Sequence, residues 1–229
     1  YYVYSYVKLV EEGTVKMGDK INIVVPTGNF GNILAGYYAK QLGIPVNRFI
    51  CASNENKVLT DFINTGVYDI RRDFFLTNSP SMDILISSNL ERMLYHLSGG
   101  NGEEVRELMN RLESEKVYSV SDSIRAGLSD FYGGYADQKD TNETIGRMYR
   151  ENGYLMDTHT AVAYKVYEDY RKATGDETVT FENNLTATNV DIQKGIVNLN
   201  NGLAGNVNST GNLGTLRLDG NNNQTVTGD

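Results

Sequence analysis

The sequence holds one cysteine, Cys51, two histidines, and no apolar run long enough to span a bilayer. A single thiol rules out an intrachain disulfide. Its place in NRFICAS reads as the core of a strand, a pointer to a reducing, cytoplasmic setting. No signal peptide or membrane anchor is read in the chain. Positive charge is also short, with 21 Lys and Arg against 29 Asp and Glu and a formal net charge of −8. That balance argues against nucleic acid or an anionic membrane as a partner. Neither a His-x-x-x-His pair nor a paired-cysteine pattern occurs, so no metal site is expected.

One stretch is shaped for an anion despite the acidic balance. VVPTGNFGNILAG, residues 24–36, starts as the end of the β-branched run INIVV and passes through a loop with glycines at 28 and 31. It then switches to helical spacing at Ile33, Leu34, Tyr37, Tyr38 and Gln41, which Gly43 and Pro45 terminate. The near-continuous apolarity of INIVV predicts a strand buried on both faces. A helix N-terminus leaves backbone N–H groups unpaired and carries partial positive charge, stabilising an anion by roughly 0.3–2 kcal/mol. Gly28 and Gly31 would admit close approach of a phosphate, with Thr27, Asn29 and Asn32 as side-chain donors. No Lys or Arg lies between residues 24 and 39, so neither a GxxxxGK[ST] nucleotide loop nor a GxGxxG fingerprint is present. On residues alone, two readings stand: a phosphate cradle or an ordinary tight turn.

The chain is long enough to bury a core, as one large domain or two small ones. YYVYSYVKLVEE is expected to open it as an amphipathic helix, a reading that leaves no leader before it, and further helical patterns cover residues 83–97, 102–113, 140–151 and 158–172. Alternation with strands predicts α/β layers. From about Phe181 the composition turns to Asn, Gly and Thr with little charge, and residues 196–199 and 216–218 read as brief strands between Asn-Gly and Asp-Gly turns. The division expected is 1–179 and 180–229.

The first of these parts resembles threonine synthase. The resemblance is carried by YYVYSYVKL, by VPTGNFGNILAGYYAKQLGIPVNRFICASNENKVLTDF, by TNSPSMDILISSNLERMLY and by FYGGYADQKDTNETIGRMYRENGYLMDTHTAVAYKVYEDY, four segments in family order. It implies a partial α/β fold of the tryptophan synthase β-like type, a parallel sheet with flanking helices. It also implies pyridoxal 5'-phosphate as cofactor, its phosphate held by Thr27, Gly28, Asn29, Phe30, Gly31 and Asn32. The implied substrate is O-phosphohomoserine, converted with water to threonine and phosphate by a carbon-oxygen lyase of amino-acid biosynthesis. The family's Schiff-base lysine sits in an FKD-type motif upstream of the segment matching YYVYSYV. The resemblance therefore implies an upstream domain of the same enzyme as partner, no catalytic residue within these 229 positions, and no turnover by this segment alone. The family's late strand, bearing a small hydroxyl residue against the pyridine nitrogen, is expected to be replaced here by the Asn-rich tail, ending the sheet early.

Other residues carry two readings each. His159, in MDTHTAV, opens a helix where an imidazole caps or packs, and the family has a histidine there too. His96 lies near a helix C-terminus, where a partly cationic ring suits the dipole. Asp83, Asn89 and Arg92 share the family-like SMDILISSNLER, and Arg92 is either a phosphate fork or a solvated helix arginine. The tyrosines of the first helix read as a face packed on the upstream region. The tail resembles autotransporter passenger regions, either short β-solenoid rungs or a polar disordered extension. Competing with the enzyme fragment are a non-catalytic phosphate-binding module, a surface-adhesin fusion, and another fold-related lyase using the same cofactor.

Overall fold

The computed structural model describes residues 1–182, 192–193 and 196–198. Within them α1 (Tyr2–Glu11) leads to β1 (Ile21–Pro26), α2 (Gly31–Gln41), β2 (Val46–Ser53) and α3 (Val58–Thr65). There follow β3 (Val67–Asp69), a 3₁₀ turn (Pro80–Met82), α4 (Leu90–Leu97), α5 (Gly102–Glu115) and β4 (Val117–Ser119). The chain continues through α6 (Asp122–Gly127), β5 (Phe131–Tyr135), α7 (Gln138–Asn152), α8 (Thr158–Thr174), β6 (Thr180–Glu182), β7 (Ile192–Gln193) and β8 (Ile196–Asn198).

The main sheet runs β5-β2-β1-β6-β8-β7, parallel throughout except for the β7–β8 pair. Period-two alternation decides which face of β1 each residue covers. Ile21, Ile23 and Val25 join one core with Phe49, Cys51, Ile33, Leu34 and Phe62, while Val24 joins Ile50, Ala52 and the α8 residues Val162, Val166 and Tyr170 on the other. Helices therefore cover both faces of the central strands, which is why INIVV reads as continuous apolarity. A second, two-stranded sheet pairs β3 with β4 and stacks Tyr68 on Tyr118 with centroids 5.3 Å apart.

Three expectations change. The helix predicted over 83–97 begins only at Leu90, because Asp83, Ser87 and Asn89 spend their polar groups on other segments instead of on a helical turn. Two of the three tyrosines of α1 pack on this chain itself: Tyr2 and Tyr6 are buried in its core, and Tyr2 donates to Asn32 Oδ1 at 2.7 Å, while Tyr4 is exposed. The sheet does not stop at β1, since Asn22, Ile23 and Val24 pair with Thr180, Phe181 and Glu182, and β8 pairs with β6 in turn. The strand expected at 196–199 is present as β8, whereas that at 216–218 and most of the tail lie outside the described residues. Among the described residues no helix is long and apolar enough to cross a membrane.

Candidate functional site

The loop of residues 27–32 leaves β1 at the carboxyl edge of the sheet and enters α2 directly. Its first residue is locked inward: the Thr27 amide donates to Ala52 O at 2.8 Å and its hydroxyl to Val25 O at 2.7 Å. Thr27 thus forms the inner wall of the loop, beside Cys51, whose thiol burial pushes up to about 12. That shift fits the core role read from NRFICAS and removes the thiolate from chemistry near neutrality.

The left-handed turn falls at Phe30, with φ of 64°, while neither Gly28 nor Gly31 has positive φ. A left-handed non-glycine residue costs about 1–2 kcal/mol. Burial of the Phe30 ring, 2% exposed and 6.0 Å from Phe131 between centroids, holds it there. The glycines serve close approach instead. A Cβ on Gly28 would stand 2.3 Å from Ser81 O, and one on Gly31 would stand 3.3 Å from Asn89 Nδ2.

Phe30 caps α2 with no side-chain hydrogen bond, and the first turn holds no acidic residue. Helices α5, α6, α7 and α8 each use a side-chain cap, from Asn101, Ser121, Asp137 and Asp157. Among the described residues, no acceptor meets the backbone N–H groups of Gly28, Asn29, Phe30 or Gly31. Four consecutive donors at an uncapped helix start suit a multivalent oxyanion. Asn29 is exposed, and the Asn32 side-chain oxygen accepts from Tyr2.

The segment from Ser79 to Asn89 crosses behind this loop. Ser87 Oγ donates to Gly28 O at 2.8 Å, and Asn89 donates to Asn29 O through its backbone N at 3.1 Å and Nδ2 at 2.8 Å. Ser87 is itself held by Tyr68, whose hydroxyl accepts the Ser87 amide at 2.9 Å and donates to Leu85 O at 2.9 Å. Desolvation in the core pushes the Tyr68 phenol up to about 12, so it remains a neutral donor and acceptor. Asp83 ties the same segment down from its other side, accepting from Asn54 Nδ2 at 2.8 Å, Asn56 Nδ2 at 3.1 Å and the Thr77 amide at 2.9 Å.

His159 meets the segment at Ser81, whose amide donates to Nε2 at 3.2 Å. Nε2 must then be the unprotonated nitrogen, leaving the ring proton on Nδ1, which lies 3.4 Å from Asp157 Oδ1. The imidazole does not cap α8. Asp157 does, accepting from the His159 and Thr160 amides at 2.9 and 3.2 Å. Burial alone would raise the Asp157 carboxyl, but hydrogen bonds from His159 and Thr160 hold it below the usual carboxylate range. Arg92 is exposed on α4, and His96, in the last turn of that helix, pairs with Tyr38 OH at 3.1 Å. No group of His, Cys, Asp or Glu among the described residues is placed to hold a metal.

The structure thus brings together the predicted loop, Asn89 and, through Ser81, His159, and it keeps Asp83 one layer behind. Ser81, Ser87 and Asp157 were missed. Asp157 had a local signal, an acidic residue just ahead of a helical pattern. Ser81 and Ser87 had none, since Ser87 and Gly28 stand 59 residues apart in sequence.

No protein-family model matches the chain. Threonine synthase-like 1 from Homo sapiens is 46% identical over 171 residues, covering 74% of this chain and 23% of that protein. Threonine synthase from Saccharomyces cerevisiae is 36% identical over 201 residues, covering 82% of this chain and 38% of the relative. Among solved structures, the crystal structure of PLP-bound threonine synthase from Brucella melitensis matches with a TM-score of 0.69 and 36% identity, over 73% of this chain and 36% of that one. The crystal structure of threonine synthase from yeast matches with a TM-score of 0.71 and 32% identity, over 86% of this chain and 39% of that one. The chain spans between 23% and 39% of the length of these proteins. In sequence and in α/β fold alike, it carries a stretch homologous to part of the threonine synthases and threonine synthase-like proteins.

Proposed function

We propose that this chain is the cofactor-binding part of a threonine synthase, with residues 27–32 holding the phosphate of pyridoxal 5'-phosphate. The observation that carries this reading is the run of four N–H groups, from Gly28 to Gly31, that meet no acceptor among the described residues at the uncapped start of α2. A phosphate offers several acceptor oxygens and the negative charge that a helix N-terminus favours. The homologous protein whose structure is described as PLP-bound supports the same assignment. When bound, pyridoxal phosphate supplies an electron sink for carbanions at the substrate's carbon centres. The chain's own part is to fix one end of the cofactor: Gly28, Asn29, Phe30 and Gly31 donate backbone N–H groups, Thr27 walls the loop, and Asn32 follows Gly31 in the first helical turn.

In the whole protein the reaction is conversion of O-phosphohomoserine and water to threonine and phosphate. The bond-breaking groups are assigned to the upstream part, so turnover requires both. The test pairs two measurements. Amide NMR of the chain titrated with inorganic phosphate or pyridoxal 5'-phosphate should shift the Gly28 to Gly31 signals, and pyridoxal lacking the phosphate should not. Phosphate release from O-phosphohomoserine should stay at the free-cofactor level for the chain alone and rise when the upstream part is supplied. Unmoved loop amides sink the cradle, and release by the chain alone sinks the division of labour.

A further inference from the structure

We infer that Ser87 and Asn89 are positioning residues that aim the phosphate donors of the loop by gripping the opposite ends of the same peptide planes. This rests on the cradle reading above. A trans peptide is planar, with its C=O and N–H pointing in opposite directions, so fixing one end fixes the other. The Gly28 carbonyl and the Asn29 N–H belong to one plane, and the Asn29 carbonyl and the Phe30 N–H to the next. Ser87 Oγ holds the first carbonyl at 2.8 Å, and Asn89 holds the second with its backbone N at 3.1 Å and Nδ2 at 2.8 Å. The Asn29 and Phe30 N–H groups consequently face away from the 79–89 segment, and they are two of the four donors that no acceptor meets among the described residues.

Loops of this kind need such a grip. Asn29 is exposed, and Gly28, next to it, has no side chain to restrict its rotation. A free loop would sample peptide orientations that turn carbonyl oxygens, not N–H groups, toward an anion. Ser87 can hold the loop because it is buried and anchored to Tyr68, whose ring is fully buried against Tyr118. The path runs from the second sheet through Tyr68 and Ser87 to Gly28, so the rigidity of the small sheet is passed to the donors. This is preorganisation, in which orienting cost is met during folding and not on binding.

The experiment uses the full chain, 15N-labelled, titrated with inorganic phosphate. Ser87→Ala removes the side-chain grip on Gly28 O and should weaken binding about tenfold, whereas Asn89→Ala keeps the backbone bond and should weaken it about threefold. Ser87→Thr, which keeps the hydroxyl, should restore most of the affinity. The Asn89 amide, which donates to Asn29 O at 3.1 Å, should exchange faster in Ser87→Ala while the β1 amides stay protected, a local signature that general unfolding does not give. Wild-type affinity in both alanine variants overturns the inference and leaves the cradle intact. Absence of phosphate binding by the wild-type chain overturns both.

Discussion

The backbone amide of Ser81 donates to Nε2 of His159 at 3.2 Å across 78 residues of sequence. Ser81 also presents its carbonyl to Gly28, 2.3 Å from where a Cβ would lie. His159 therefore seats the piece of backbone against which the loop is packed. Replacing it with Ala leaves the Ser81 amide to solvent, since Ser81 is exposed, so global stability should fall by only about 0.5–1.5 kcal/mol. Phosphate affinity should fall a few-fold, and His159→Gln, which keeps an acceptor, should recover part of it. Unchanged affinity in His159→Ala, with circular dichroism showing a folded chain, would leave the imidazole a packing residue without influence on the loop.

How much of this could be read beforehand follows from the range of each interaction. The β1, loop and α2 unit was legible because periodicity, glycine spacing and the helix stop are all local signals. Residues 83–97 misled because LISSNLERMLY keeps an apolar spacing compatible with a helix, while the reason it starts late is a set of bonds from Asp83, Ser87 and Asn89 to partners elsewhere in the chain. Which residue would take the left-handed turn was likewise hidden. Phe30 holds φ of 64° because its ring is buried near Phe131, a contact with no trace in GNFG itself.

Lys116 offers a test of backbone strain away from the site. It closes α5 in the left-handed region with φ of 63°, where Gly66, Gly153 and Gly175 close α3, α7 and α8. Lys116→Gly should stabilise the chain by about 0.5–1 kcal/mol through relief of the Cβ clash, partly offset by the greater freedom of glycine in the unfolded chain. The loss of Lys116 Nζ donating to Glu113 O at 2.7 Å on an exposed face costs little. Urea midpoints of the two proteins decide it, and a lower midpoint for the glycine variant would show that the turn is unstrained.

Acid should weaken the join between β1 and the α8 exit. Burial would raise the Asp176 carboxyl, but hydrogen bonds from Thr178, Tyr170 and Asn22 outweigh it and hold the group well below its ordinary value of 3.8. A carboxyl depressed in the folded state contributes fully above 3.8 and loses that contribution as pH falls from there toward its folded value. Between pH 6 and pH 3 the wild-type urea midpoint should therefore drop more than that of Asp176→Asn. The variant should start lower at pH 6, because an amide presents one acceptor oxygen where Oδ2 now receives Asn22 at 2.9 Å and Asn47 at 3.3 Å. Parallel pH profiles would remove Asp176 from the account.

The two glycines of the loop should respond unequally, although their spacing makes them look alike. A methyl group at Gly28 meets a backbone carbonyl, Ser81 O, at 2.3 Å, with Met82 Cα at 3.5 Å behind it. Neither neighbour is the end of a flexible side chain, so the 79–89 segment or the loop must shift. Gly28→Ala should then cost about 1–3 kcal/mol, as overpacking does. It should also weaken phosphate binding, because the Ser87 grip on Gly28 O at 2.8 Å cannot survive the displacement. At Gly31 the nearest atom is Asn89 Nδ2 at 3.3 Å, a side-chain terminus, and φ is not positive. Alanine there gains helix propensity of up to about 1 kcal/mol at a helix position, which offsets the small push on Asn89. Gly31→Ala should fold with wild-type stability or better and bind phosphate only slightly less tightly. Gly31→Val carries a branched Cβ toward Asn89 and the donors, and should lose affinity while staying folded. Equal losses of stability in Gly28→Ala and Gly31→Ala would mean that the carbonyl of Ser81 yields as readily as the amide of Asn89, and the 79–89 segment would then be too soft to orient the loop.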